Sequence, residues 1–188
     1  MPFCHCVGVA GDYPYQVAVV PYSNPEDVHV CGGSLLAAKW VLSSASCVNY
    51  CRDASAHARR SNTFLRVILG AVSLTHDEPE QKWFTVADAV SHPDTKSDLI
   101  LLRLNKRVAF SDYIQPVSLA GKSASDLADM RLTGWGSAES NDITVFLPQV
   151  ALTSGTFARQ CDRIYPTLFV RLDPFVDWIR ATIGAERY

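Results

Sequence analysis

The sequence has no apolar run approaching the roughly 20 residues that a bilayer-spanning helix needs, so membrane helices are excluded as its organising element. Net charge is scarce as well. Its 17 basic and 19 acidic residues leave −2 at neutral pH, which offers no field to gather nucleic acid. The basic residues are scattered rather than blocked, so a polybasic membrane patch is also missing. Heptads, internal repeats and low-complexity tracts are absent. Met1–Gly11 has neither a basic leading region nor a long apolar stretch behind it. It therefore does not read as a secretory signal, and the true start is expected upstream.

What is present is an ordinary globular composition. Over 188 residues, 48% are hydrophobic and 19% charged, enough for one domain with a real core or two small coupled lobes. Six cysteines, with Cys47 and Cys51 close together, point to an oxidising compartment. The dominant local signal is short β-type runs broken by turns. Tyr15–Pro21, Gly33–Leu36, Trp40–Ser43, Phe64–Leu69, Trp83–Val90 and Leu99–Leu104 are rich in β-branched, aromatic or aliphatic residues. Ser23–Asn24–Pro25, Asp77–Glu78–Pro79 and His92–Pro93–Asp94 supply turns between them. Short strands at this spacing predict a barrel or sandwich. One helix is predicted at the end, with Asp173 as N-cap and Pro174 at the first helical position. Val176, Ile179 and Ile183 then recur on one face, Arg180 lies on the other, and Gly184 stops the run.

Several motifs run in a telling order. Tyr13–Pro14–Tyr15–Gln16–Val17 comes first, then Cys31–Gly32–Gly33–Ser34–Leu35 and Trp40–Val41–Leu42–Ser43–Ser44–Ala45–Ser46–Cys47. Ser91–His92–Pro93 and Ser97–Asp98–Leu99–Ile100–Leu101–Leu102–Arg103–Leu104 follow. Ile114–Gln115–Pro116–Val117 and Leu132–Thr133–Gly134–Trp135–Gly136 come next, and Leu168–Leu172 and Phe175–Ile179 close the series. From about Tyr13 to Gly184 the chain resembles the trypsin/chymotrypsin-like serine proteases. The resemblance implies an all-β double barrel with an incomplete second barrel and a C-terminal α-helix. The peptidase domain would cover residues 7–184, with a first barrel over 13–117 and a residual second barrel plus helix over 118–188. Cys31 and Cys47 flank two predicted strands, a distance that a hairpin closes. A disulfide over such a loop is worth roughly 3 kcal/mol. Gly32–Gly33 permits close backbone approach, and Trp135 between two glycines is expected to pack at a lobe boundary.

Acyl transfer by this family needs a serine nucleophile, a histidine base and an orienting aspartate, with backbone donors for the oxyanion. The aspartate position is Asp98. The histidine position, read from Trp-Val-Leu-Thr-Ala-Ala-His-Cys in the family, holds Ser46, and serine is no base near neutral pH. Without a histidine beside it, Asp98 is expected to cap local backbone groups. His5, His29, His57, His76 and His92 do not replace the base, and His92 belongs to a turn that is structural in the family. The family motif Gly-Asp-Ser-Gly-Gly-Pro occurs nowhere. Its nearest look-alike, Thr153–Ser154–Gly155, reads as a turn serine.

Asp162–Pro166 resembles the family stretch after Cys161, while Thr167–Val170 already resembles the last strand. About fifty family residues would be missing between them, judged from the reach of strand segments. They would carry the nucleophile, the oxyanion amides and the specificity pocket. The segment comparable to the family's activating N-terminus is Cys6–Val7–Gly8–Val9, and its partner carboxylate would lie in the same missing stretch. Cys161 would lack its usual partner, and Met130 stands where a paired cysteine is common. Cys4, Cys6 and Cys51 have no assigned pairing, and Cys4–His5–Cys6 does not match common zinc spacing.

These observations predict a secreted, non-enzymatic homologue that binds a protein partner as cofactor, decoy or adaptor. Neither a cofactor nor a metal is implied, nor a nucleic-acid or membrane partner. The polar insertion Asn49–Asn62 is a candidate binding loop. Two alternatives stand beside this: a serine-type endopeptidase whose coding sequence is incomplete here, and a truncated product without function.

Overall fold

The computed structural model describes residues 8–21, 30–53, 65–119, 133–135, 151–156 and 167–184. Six strands make a closed antiparallel barrel: β1 (Gln16–Pro21), β2 (Cys31–Ala37), β3 (Trp40–Ser44), β4 (Leu65–Leu69), β5 (Lys82–Ser91) and β6 (Leu99–Leu104). Their order around the wall is β1–β2–β3–β6–β5–β4, with β4 returning to β1. Each sequence-predicted strand falls on one of these, with ends displaced by a residue or two.

Alternation along the strands explains the closure. Val17 and Val19 of β1, Val67 and Leu69 of β4, and Ile100, Leu102 and Leu104 of β6 point into one buried cluster. β5 keeps Phe84 and Val86 on that side and then returns to it with Ala89. The change of parity is the work of a bulge between Val86 and Asp88, since one extra residue turns every later side chain to the opposite face. Gly33 is required at its place in β2: a Cβ there would lie 2.7 Å from the Leu42 carbonyl, inside the β2–β3 pairing. Gly32 meets no such wall, with Gln16 Nε2 at 3.9 Å as its nearest neighbour. Only one of the two glycines is therefore demanded by close approach.

β3 and β6 are apolar on both faces because both are covered. Trp40, Leu42, Leu99 and Leu101 turn outward into a second cluster, with Leu172, Ile179 and Ile183. These last come from the C-terminal segment. β7 (Ala151–Thr156) and β8 (Thr167–Arg171) pair antiparallel, and β7 runs beside β3. Thr153–Ser154–Gly155, expected as a turn, lies within β7 where the β7–β8 register shifts. After β8, a single 3₁₀ turn at Asp173–Phe175 leads into helix α2 (Val176–Ile183).

Asp173 is not the N-cap expected of it. Its carboxylate accepts from Arg171 Nε at 2.9 Å, and the tight turn that Pro174 helps to set delays the α-helix to Val176. The rest of the helix follows the pattern, with Val176, Ile179 and Ile183 buried, Arg180 exposed and Gly184 ending it at φ 61°.

One element was not anticipated. Ala45–Asp53 forms helix α1, so the first part of the supposed polar insertion Asn49–Asn62 is helical and carries the buried Cys51. Residues 54–62 lie outside the described residues, as do Cys4, His5, Cys6, His29, His57, Met130 and Cys161.

Candidate functional site

The β3–β6 register places Ser44 opposite Leu99. The residue before β6, Asp98, therefore meets the start of α1 just after β3. A helix start leaves its first amides without intrahelical acceptors, and this junction supplies them. Ala45 N–H donates to the Asp98 carbonyl at 3.0 Å. Ser46 N–H donates to Asp98 Oδ1 at 2.6 Å. Cys47 N–H donates to Ser44 Oγ at 3.3 Å, the bond of an N-cap serine. Ser44 Oγ in turn donates to Asp98 Oδ2 at 2.9 Å, and Ser46 Oγ donates to the same oxygen at 3.0 Å. A carboxylate at the positive end of a helix is favourable in itself.

The backbone of Asp98 is bent to this purpose. It is the one non-glycine residue with positive φ among the described residues, at φ 52° and ψ 34°, a conformation that costs energy and gathers at functional sites. The preceding 3₁₀ turn, Thr95–Ser97, is capped by Asp94, whose carboxylate accepts from Lys96 N–H at 3.0 Å. Asp98 is half-buried and Ser46 exposed, so the pair opens to solvent. The disulfide Cys31–Cys47, with Cα atoms 5.8 Å apart, ties the first turn of α1 to β2.

Comparison with known proteins now decides the lineage. The trypsin family model matches residues 7–163. The chain belongs to the trypsin family. It is 34% identical over 148 residues to serine protease 57 of Rattus norvegicus, which covers 73% of this chain and 50% of that protein. It is 29% identical over 156 residues to chymotrypsin-like elastase family member 1 of Homo sapiens, covering 78% of this chain and 56% of that one. The chain thus spans about half the length of the relatives it matches.

In this trypsin-family chain, the structure brings together Ser46 and Asp98, the two positions singled out for base and aspartate, and joins Cys31 to Cys47. It also shows a partner that the motifs did not reveal: Ser44, only 4% exposed, completes the junction. The signal for it was a serine directly before Ala45, the residue type and place of an N-cap. His92 is held in its own turn, its Nδ1 accepting from Asp94 N–H at 3.1 Å. Its ring meets Phe175 and Trp178 edge-on at 4.9 and 4.7 Å, pinning the C-terminal segment to the barrel. His76 bonds within its own exposed turn, to Ser73 and Thr75. Trp135 docks on the loop after β4, its indole N–H donating to the Val72 carbonyl at 3.0 Å, which agrees with a packing role. Val9, 68% exposed, has its amide held by Asp12 at 3.0 Å. Among the described residues, no helix is long and apolar enough to cross a membrane.

Proposed function

We propose that this chain is a non-catalytic member of its family that works by binding a protein partner, as cofactor, decoy or adaptor, outside the cell. The observation that carries the proposal is Ser46, which stands at the histidine position and donates its hydroxyl to Asp98. A hydroxyl keeps its proton across the neutral range and cannot take one from a nucleophile. Two further features support it. No Gly-Asp-Ser-Gly-Gly-Pro motif exists in the sequence, and the carboxylate of Asp98 is engaged in holding a helix start. The disulfide and the family together favour a secreted protein. The second barrel is proposed to be truncated between Tyr165 and Leu168.

A second reading is a serine-type endopeptidase whose remaining sequence is missing here. The comparisons favour it over the first: both relatives bear the names of proteolytic families, and the chain spans only about half their length. Against it stands Ser46, because a lost segment elsewhere does not replace a histidine.

A fluorophosphonate probe on the purified chain tests the first reading. No label and no burst with an active-site titrant are expected, and Ser46→His alone restores neither. Labelling above that of heat-denatured protein overturns it. Sequencing the transcript across Tyr165–Leu168 separates the two readings. Continuous codons keep the nucleophile out; about fifty additional codons, the length estimated from strand reach, with a serine motif among them favour the endopeptidase.

A further inference from the structure

Helix α1 carries Cys47 and Cys51 one turn apart, so both side chains leave the same helical face. That face is turned toward Cys31 at the start of β2. Cys31 is bonded to Cys47, and the Cys51 sulfur lies 3.5 Å from the Cys31 sulfur. Cys31 and Cys51 are each 1% exposed and belong to the barrel's apolar cluster, with Cys47 packed partly buried against it. Three sulfurs thus meet at one place, and Cys31 is in contact with the other two.

We propose that these cysteines form an exchangeable disulfide, in which Cys31 bonds to Cys47 or to Cys51 and the exchange moves the thiol between Cys51 and Cys47. Cys51 gives its proton to solvent base, and its thiolate attacks the Cys31 sulfur. The Cys31–Cys51 bond forms as the Cys31–Cys47 bond breaks. The electron pair of the broken bond leaves on the Cys47 sulfur, which takes up a proton. One disulfide and one thiol stand on each side of the reaction, so no oxidant or reductant is consumed. The tie from β2 moves from the first turn of α1, whose amides Asp98 holds, to the next turn. The thiol passes from a fully buried residue to the more accessible Cys47, where a thiol-reactive or disulfide-bearing partner can reach it. Burial lifts the Cys51 thiol to about 11, which keeps its thiolate rare in neutral solution and the exchange slow. This inference is independent of whether the chain cuts peptides.

The full chain is incubated at mildly alkaline pH, quenched in acid, alkylated and digested with chymotrypsin, which cuts after Tyr50 and so separates Cys47 from Cys51. Mass spectrometry then reads the linkages. The expected result is a gain of peptide linking Cys31 to Cys51, with a matching gain of alkylated Cys47. A single Cys31–Cys47 linkage with Cys51 fully alkylated, unchanged after prolonged incubation, overturns the proposal. Cys47→Ser is a second arm: with oxidised glutathione it is expected to form the Cys31–Cys51 bond, and persistence of both thiols in the folded variant sinks the idea. If that variant does not fold, the linkage map of the unsubstituted chain decides.

Discussion

In the barrel every strand is hydrogen-bonded on both sides, and β4 closes onto β1; among the described residues, β7 and β8 are hydrogen-bonded as strands only to each other. The two regions therefore draw their stability from different sources. The barrel satisfies its backbone bonds within its own wall and fills its interior with its own side chains. A two-stranded pair is marginal alone. The β7–β8 region depends on α2, whose Ile179 and Ile183 pack on the outer face of β3 and β6. What differs is the origin of the core: the barrel makes its own, and the C-terminal region borrows one.

The largest break in that comparison should come from inside the barrel. Leu102→Ala removes a side chain with 0% exposure and is expected to lower stability by about 2–5 kcal/mol, read by urea denaturation of the whole chain. Ile179→Ala strikes the borrowed core instead. Its expected cost is near the lower end, about 2 kcal/mol, and its signature is local. Amide protection in α2 should fall while the barrel amides keep theirs, and equal loss in both would show that the two regions unfold as one. Limited proteolysis sharpens the same contrast, with cuts after Gly121 expected before cuts in the barrel. Equal resistance on both sides of Gly121 removes the distinction.

Asp98→Ala is expected to cost about 1–2 kcal/mol, as loss of a helix cap does, and to leave probe labelling at its absent level. A role in catalysis, by contrast, would make labelling depend on Asp98. A further effect concerns pH. Burial raises the Cys51 thiol from 9.0 to about 11, so the folded chain holds that proton more tightly than the unfolded one. The stabilisation is complete below pH 9 and is lost as pH rises toward 11. The melting temperature should fall across that window, and less steeply in Cys51→Ala.

Much of the barrel was legible because a half-buried strand writes its period into the sequence. β6 shows where that signal ends. Leu99–Leu104 reads as a nearly continuous apolar run, which marks burial on both faces without naming what covers the second. The missed helix α1 has a similar cause. Ala45–Asp53 has Val48 as its only large aliphatic residue and no acidic residue in its first turn, and its start is held in part by Asp98 from a distant strand end. Ser44 is a local N-cap signal, but the carboxylate of Asp98, from another strand end, leaves none. Asp173 is the converse: a sound local N-cap signal, overridden when Arg171 claimed its carboxylate.

By itself the sequence determined the six barrel strands, because their residue types and period are local, and it spaced Cys31 and Cys47 for the disulfide that forms; the expectation that Ser46 stands at a histidine position came from the family resemblance. Only the tertiary structure decided that Asp98 serves as acceptor for a helix start, that Ser44 joins it, and that Cys51 touches a disulfide. Those depend on the register between β3 and β6 and on the packing of α1 against β2. Both bring together residues distant in the chain, and local propensity carries no record of them.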